Sequence, residues 1–82
     1  MSKIEKKRIL IFGGTGSLGK TLIKRYIEKN EVCVFSRDES KHWTIRNRLN
    51  DPKLQFRVGD IRDESRCREI VLEFQPTHII LA

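Results

Sequence analysis

The chain has 82 residues, 38% of them hydrophobic and 34% charged, proportions that exclude a fibrous or low-complexity protein. Such a length permits at most one small domain, which buries only about 60–65% of the surface its unfolded form exposes. Seventeen Lys and Arg against eleven Asp and Glu leave a formal charge of +6; apart from Lys6-Lys7-Arg8 and the pair Lys24-Arg25 the cations sit singly and mixed with acids, so an anionic small ligand is expected rather than nucleic acid.

In chain order, the run Arg8-Ile9-Leu10-Ile11-Phe12 is apolar without alternation and ends in glycines, which predicts a strand buried on both faces. Over residues 17–29 the apolar positions Leu18, Leu22, Ile23, Tyr26 and Ile27 recur at helical spacing. Residues 32–35 make a second short strand. A weaker helix over 39–49 sets Trp43 and Leu49 on one side, with Trp43 expected to pack beneath it, and Asn50-Asp51-Pro52 ends it. Residues 54–58 alternate with period two, as a strand near a sheet edge does. Asp63 caps a third helix whose stripe is Cys67, Ile70, Val71 and Phe74, and Gln75-Pro76 stops it. Residues 77–82 form a fourth apolar strand.

Strands alternating with helices about a dozen residues long imply an α/β fold, β-α-β-α-β-α-β, with a parallel sheet and right-handed crossovers. The chain stops inside its last strand. Residues 1–82 are therefore expected to be a partial domain, truncated at its C-terminal end and poorly folded in isolation. No apolar run approaches the roughly 20 residues that span a bilayer. The charged opening carries no signal-peptide stretch, so a cytoplasmic location without a membrane segment is expected. Cys33 and Cys67 lack C-x-x-C spacing and read as reduced core thiols rather than a disulfide or zinc pair.

Between the first strand and first helix lies Gly13-Gly14-Thr15-Gly16-Ser17-Leu18-Gly19, which satisfies both G-x-G-x-x-G and G-x-x-G-x-x-G. An early glycine permits a turn that a side chain would forbid. Gly16 lets the backbone approach a pyrophosphate, and Gly19 lets helix and strand pack closely. The helix start then offers free N–H groups and about half a positive charge to the phosphates. This context predicts the N-terminal part of a Rossmann-type doubly wound parallel sheet that binds a dinucleotide. Gly14, Gly19, Lys20 and Thr21 also spell G-x-x-x-x-G-K-[ST], so a P-loop is the alternative.

The second strand ends in Ser36-Arg37-Asp38-Glu39-Ser40-Lys41, about 20 residues beyond the glycines, where such a fold places the adenosine ribose. Ser36, Arg37 and Lys41 suit the 2′-phosphate of NADP better than the bare hydroxyl of NAD. Asp60 can accept from the adenine amino group while Ile61 packs on the ring, and Ala82 ends the strand where the dinucleotide turns toward its nicotinamide half. His42 and His78 have no partner at metal-ligand spacing, and His78 reads as a structural residue. No metal site or nucleophilic set is expected.

These residues carry a resemblance. The run from Ile9 through Lys20, then Phe-Ser-Arg-Asp-Glu, Val-Gly-Asp-Ile-Arg-Asp and His-Ile-Ile-Leu-Ala, resembles the start of an extended short-chain dehydrogenase/reductase. Within that superfamily it is most similar to the nucleotide-sugar 4,6-dehydratases of polysaccharide biosynthesis, in particular the UDP-N-acetylglucosamine inverting type. The resemblance implies an NADP-dependent lyase acting on a nucleotide sugar. The cofactor takes hydride from the sugar C4, water leaves across C5 and C6, and hydride returns to C6. It also implies homo-oligomers built through parts absent here. By position, Gly13, Thr15, Gly16, Ser17, Leu18 and Gly19 would hold the pyrophosphate, Ser36, Arg37 and Lys41 the 2′-phosphate, and Asp60 with Ile61 the adenine. A sugar epimerase or reductase, or a non-catalytic NADP-sensing module, would share these elements. Two features depart from the pattern: Phe12 stands where the superfamily usually has Thr, and the Tyr-x-x-x-Lys pair would lie beyond Ala82. Tyr26, the one tyrosine, has Ile23 and Ile27 as helical neighbours and is no substitute, so no catalytic residue is assigned.

Overall fold

The computed structural model describes residues 6–13 and 15–82, so Gly14 of the glycine motif lies outside the described residues. Seven elements alternate along the chain: β1 (Arg8–Phe12), α1 (Ser17–Ile27), β2 (Glu31–Ser36), α2 (Glu39–Leu49), β3 (Leu54–Val58), α3 (Glu64–Phe74) and β4 (His78–Leu81). The strands form one parallel sheet in the order β3-β2-β1-β4. From β1 the chain steps outward to β2 and β3, then crosses back to place β4 on the other side of β1. That reversal is the topological switch point of a doubly wound sheet.

Alternation along the strands sorts the core into two layers. Ile9, Ile11, Val32, Val34, Leu54 and Phe56 face α1 and α2, which contribute Ile23, Ile27 and Ile45. Leu10, Phe12, Cys33 and Phe35 face α3, which contributes Ile70 and Phe74. Each fully buried aliphatic or aromatic side chain contributes about 1.5–3 kcal/mol. These contacts, rather than the propensity of three eleven-residue helices, hold the fold together.

The element ends have local causes. The first helix stops at Ile27, two residues earlier than its periodicity suggests, and the buried Asn30 clamps the exit. Its Nδ2 donates to the Tyr26 carbonyl at 2.9 Å, while its Oδ1 accepts the Lys7 amide at 3.0 Å. Asn50 and Gln75 close α2 and α3 in the left-handed region, at φ of 44° and 53°. Asp63 caps α3 as expected, accepting the Arg66 amide at 3.1 Å.

One expectation is corrected. Trp43 is 67% exposed rather than packed beneath α2. The buried face of that helix carries His42, Ile45 and Leu49, spaced i, i+3, i+7, and Trp43 stands about 100° away from it. Cys33 is buried, and burial pushes its thiol up to about 11, whereas Cys67 is only half-buried over the carbonyls of Asp60 and Ile61. His78 Nδ1 lies 2.9 Å from the hydroxyl of the adjacent Thr77.

Candidate functional site

At the carboxyl ends of the strands, over the switch point, an open cleft of about 940 Å³ runs across the sheet. Its apolar floor is the last residue of β1 against the penultimate residue of β2: the rings of Phe12 and Phe35 meet edge to face at 5.4 Å. Backbone bonds tie the walls to this floor. Gly13 donates to the Phe35 carbonyl at 2.8 Å, Ala82 to the Phe12 carbonyl at 3.0 Å, and Gly59 to the Ser36 carbonyl at 3.0 Å.

Within the glycine turn, Gly13 is the position whose backbone requires glycine. Gly13 has φ of 83°, and a Cβ there would also come within 3.1 Å of the Ala82 carbonyl oxygen. Gly16 has open space where a Cβ would stand. Gly19 is buried in the first turn of α1. The start of α1 differs from the other two helices. Asp38 and Asp63 cap α2 and α3 with their carboxylates, and each helix carries a Glu in its first turn; α1 has Gly16 at the cap, no side-chain cap and no acid in its first turn. Among the described residues, Lys20 is the first of this helix to donate to a backbone carbonyl, that of Gly16 at 2.9 Å, and no described carbonyl takes the amides of residues 17–19.

The cleft brings together Gly13, Thr15, Ser36, Arg37, Asp60, Ile61 and Ala82 from the sequence reading. Gly16, Ser17, Leu18 and Gly19 form the cap and first turn of α1 and do not line the cleft, with Leu18 63% exposed. Lys41 lies outside the lining, in the first turn of α2, its Nζ 3.8 Å from Asp38 Oδ2. Asp60 is already engaged: Arg62 grips both its oxygens, the closest contact being Nη2 to Oδ2 at 2.8 Å, and holds its carboxyl down at about 2. Arg37 Nη1 stands 3.6 Å from the same carboxylate, with its side chain 70% exposed. The Ser36 hydroxyl faces two partners, His42 Nε2 at 2.7 Å and the Asp38 amide at 3.3 Å.

Sequence reasoning did not assign Phe12, Phe35, Asp38, Glu39, Gly59 or Arg62 to the site, and the structure adds them. Their signal was positional, since each sits at or just beyond a strand's carboxyl end, which is where such sheets bind ligands. Gly59 is packed so tightly that a Cβ would fall 2.5 Å from the Phe35 ring. The P-loop spelling dissolves in three dimensions. Lys20 lines a separate groove of about 320 Å³ between α1 and α2, and the Thr21 hydroxyl bonds back to the Ser17 carbonyl at 3.1 Å. Among the described residues no helix is long and apolar enough to cross a membrane, and no group of three or more His, Cys, Asp or Glu could hold a metal ion.

Residues 9–82 match the family described as polysaccharide biosynthesis protein. Among curated relatives, the chain is 44% identical over 64 residues to a UDP-N-acetylglucosamine 4,6-dehydratase (inverting) of Campylobacter jejuni, covering 74% of this chain and 19% of that protein. It is 43% identical over 63 residues to a UDP-glucose 4-epimerase of Rickettsia canadensis, covering 70% and 18%. The chain thus spans about a fifth of the length of these relatives. Among solved structures, the Bordetella bronchiseptica enzyme WbmG in complex with NAD shares the fold at a TM-score of 0.81 and 24% identity, over 100% of this chain and 26% of its own. ElxO with NADP bound superposes at 0.70 with 26% identity, over 93% of this chain and 33% of its own.

Proposed function

This chain belongs to the polysaccharide biosynthesis protein family, and from that membership we propose that it is the NADP-binding N-terminal portion of a nucleotide-sugar 4,6-dehydratase. The observation that carries the reading is the uncapped start of α1, behind a glycine turn that opens on the switch-point cleft. A helix start with no acid and no capping side chain suits an anion.

The residues present fit a dinucleotide. The turn from Gly13 through Gly19 would hold the pyrophosphate by backbone amides, with Gly16 leaving room for close approach. Arg37, its side chain 70% exposed and its ion pair with Asp60 3.6 Å long, would together with Ser36 and Lys41 hold a ribose phosphate. Ile61, 55% exposed at the cleft, would pack on an adenine ring, with Asp60 accepting its amino group once Arg62 shares that carboxylate. Ala82 would border the nicotinamide side. When bound, the nicotinamide supplies a reversible hydride acceptor. The chain's own part is to bind and orient: the Phe12–Phe35 floor excludes water from beneath the ligand, and backbone bonds hold the strand ends fixed around it. Bond-breaking on the sugar belongs to residues outside this segment. The nucleotide sugar is accordingly a substrate of the whole protein.

The 43% identity to a UDP-glucose 4-epimerase supports a second reading, a 4-epimerase built on the same cofactor half. Sequence downstream of Ala82 separates a catalytic protein, through a Tyr-x-x-x-Lys pair, from a sensing module. Assay of the encoded polypeptide with UDP-N-acetylglucosamine and UDP-glucose separates dehydratase from epimerase. The cofactor proposal is tested by titrating NADPH, NADH and magnesium-ATP into two proteins. One is the 82-residue chain; the other is a chimera in which the chain replaces the matching segment of the Campylobacter jejuni dehydratase. NADPH is expected to bind more tightly than NADH, with no magnesium-dependent ATP binding. Equal affinity for the two dinucleotides in both proteins overturns the NADP assignment.

A further inference from the structure

We infer that His42 is a positioning residue, which fixes Ser36 as a hydrogen-bond donor to an anionic oxygen of the ligand at the β2 end of the cleft. The inference rests on the dinucleotide reading and adds a residue that the glycine motif and the ribose cluster leave out. His42 is 3% exposed, on the inner face of α2, with its ring 4.8 Å from that of Phe56. Nε2 lies 2.7 Å from Ser36 Oγ, and Nδ1 is buried with no hydrogen-bond partner among the described residues. Ser36 closes β2 and lines the cleft, and its oxygen also accepts the Asp38 amide.

The network selects the tautomer. A neutral imidazole has one N–H and one lone pair, and a hydroxyl has one donor and two acceptor sites. With the proton on Nδ1, a buried N–H is orphaned, and the Ser36 hydroxyl spends its one proton on Nε2. With the proton on Nε2, the unmatched group is a lone pair, and a buried acceptor left unpaired is tolerated more often than a buried donor. Ser36 Oγ then accepts from both His42 and the Asp38 amide, and its own proton remains for a ligand. Next to it, Arg37 supplies the charge. The pair suits a phosphate monoester on the ribose, where the hydroxyl donates one hydrogen bond and the guanidinium neutralises the anion. A 2′-hydroxyl gains less from either group.

The test compares NADPH and NADH dissociation constants for the wild type, His42→Phe, His42→Gln, Ser36→Ala and the double variant His42→Phe/Ser36→Ala. Both the 82-residue chain and the chimera are used. Phe keeps the ring on Phe56 and removes the N–H, while the Gln side-chain amide restores a donor. His42→Phe and Ser36→Ala are each expected to weaken NADPH about tenfold and to change NADH little. The double variant is expected to be no worse than either single one, and His42→Gln to bind as the wild type does. Nitrogen-15 spectra of the imidazole are expected to place its proton on Nε2. Losses that multiply in the double variant, wild-type NADPH affinity in His42→Phe, or a proton on Nδ1 each overturn the inference. If no protein binds NADPH, the dinucleotide reading falls, and the tautomer still decides whether His42 presents an N–H to Ser36.

Discussion

Arg37 and His42 mark two ways in which single residues shape the β2 end of the cleft. Arg37 keeps most of its side chain in solvent, and its nearest carboxylate, Asp60, is gripped more closely by Arg62. Its guanidinium is therefore free to trade a loose ion pair for a phosphate. Arg37→Ala is expected to weaken NADPH tenfold or more and NADH far less, read as the ratio of the two dissociation constants. His42 works from inside. Burial lowers its pKa below the ordinary value and Arg46 pushes the same way, while Asp38 and Glu39 oppose. The folded protein thus resists a proton that the unfolded chain accepts. Stability from this group is complete above the unfolded value of about 6.5 and is lost as pH falls through the lower folded value. Denaturant midpoints of the chimera are expected to drop as pH falls below about 6.5, and His42→Phe to flatten that step. The Asp60 carboxylate, held at about 2, titrates well below this window.

At the level of elements, the contrast among helix starts separates structure from function. The Asp63 carboxylate caps its helix: it accepts the Arg66 amide and lies outside the cleft lining. Asp63→Ala is expected to lower stability by about 1 kcal/mol with unchanged NADPH affinity, measured as a shift in denaturant midpoint. α1 forgoes such a cap, which costs stability in the free protein and leaves its first amides for a ligand. The two phenylalanines of the floor were legible as strand residues but not as site residues. A residue that closes a buried strand looks the same in sequence whether it meets solvent, a helix or a ligand. Trp43 failed as a packing residue for a related reason. Its apolar character said nothing of direction, and the buried stripe of α2 runs through a histidine, a residue that pattern reading treats as polar.

For the whole molecule, the far side of the sheet matters most. Ile80 packs against the α1 side of the core, whereas Ile79 and Leu81 are 51% and 73% exposed on the face that α3 covers elsewhere. β4 also bounds the sheet, so one edge of its ladder has no strand partner among the described residues. An apolar face and an open ladder at one edge are costly in water. The 82-residue chain alone is expected to melt broadly and to bind a hydrophobic dye, while the chimera, which supplies further chain beyond β4, melts cooperatively without dye binding. A sharp cooperative melt of the chain alone contradicts this.

Sequence by itself determined the alternation of seven elements, the glycine turn and the polar cluster that follows β2, because periodicity, glycine spacing and capping are local properties of a chain. Tertiary structure alone decided which of those residues share a cleft. Strand order β3-β2-β1-β4 brings Gly13, Arg37, Asp60 and Ala82 to one edge although up to 69 positions separate them, the number by which 82 exceeds 13. It also turned Lys20 away into another groove and buried His42 behind Ser36. Those outcomes depend on which faces of two helices meet the sheet, a matter of long-range packing that no short window of residues encodes.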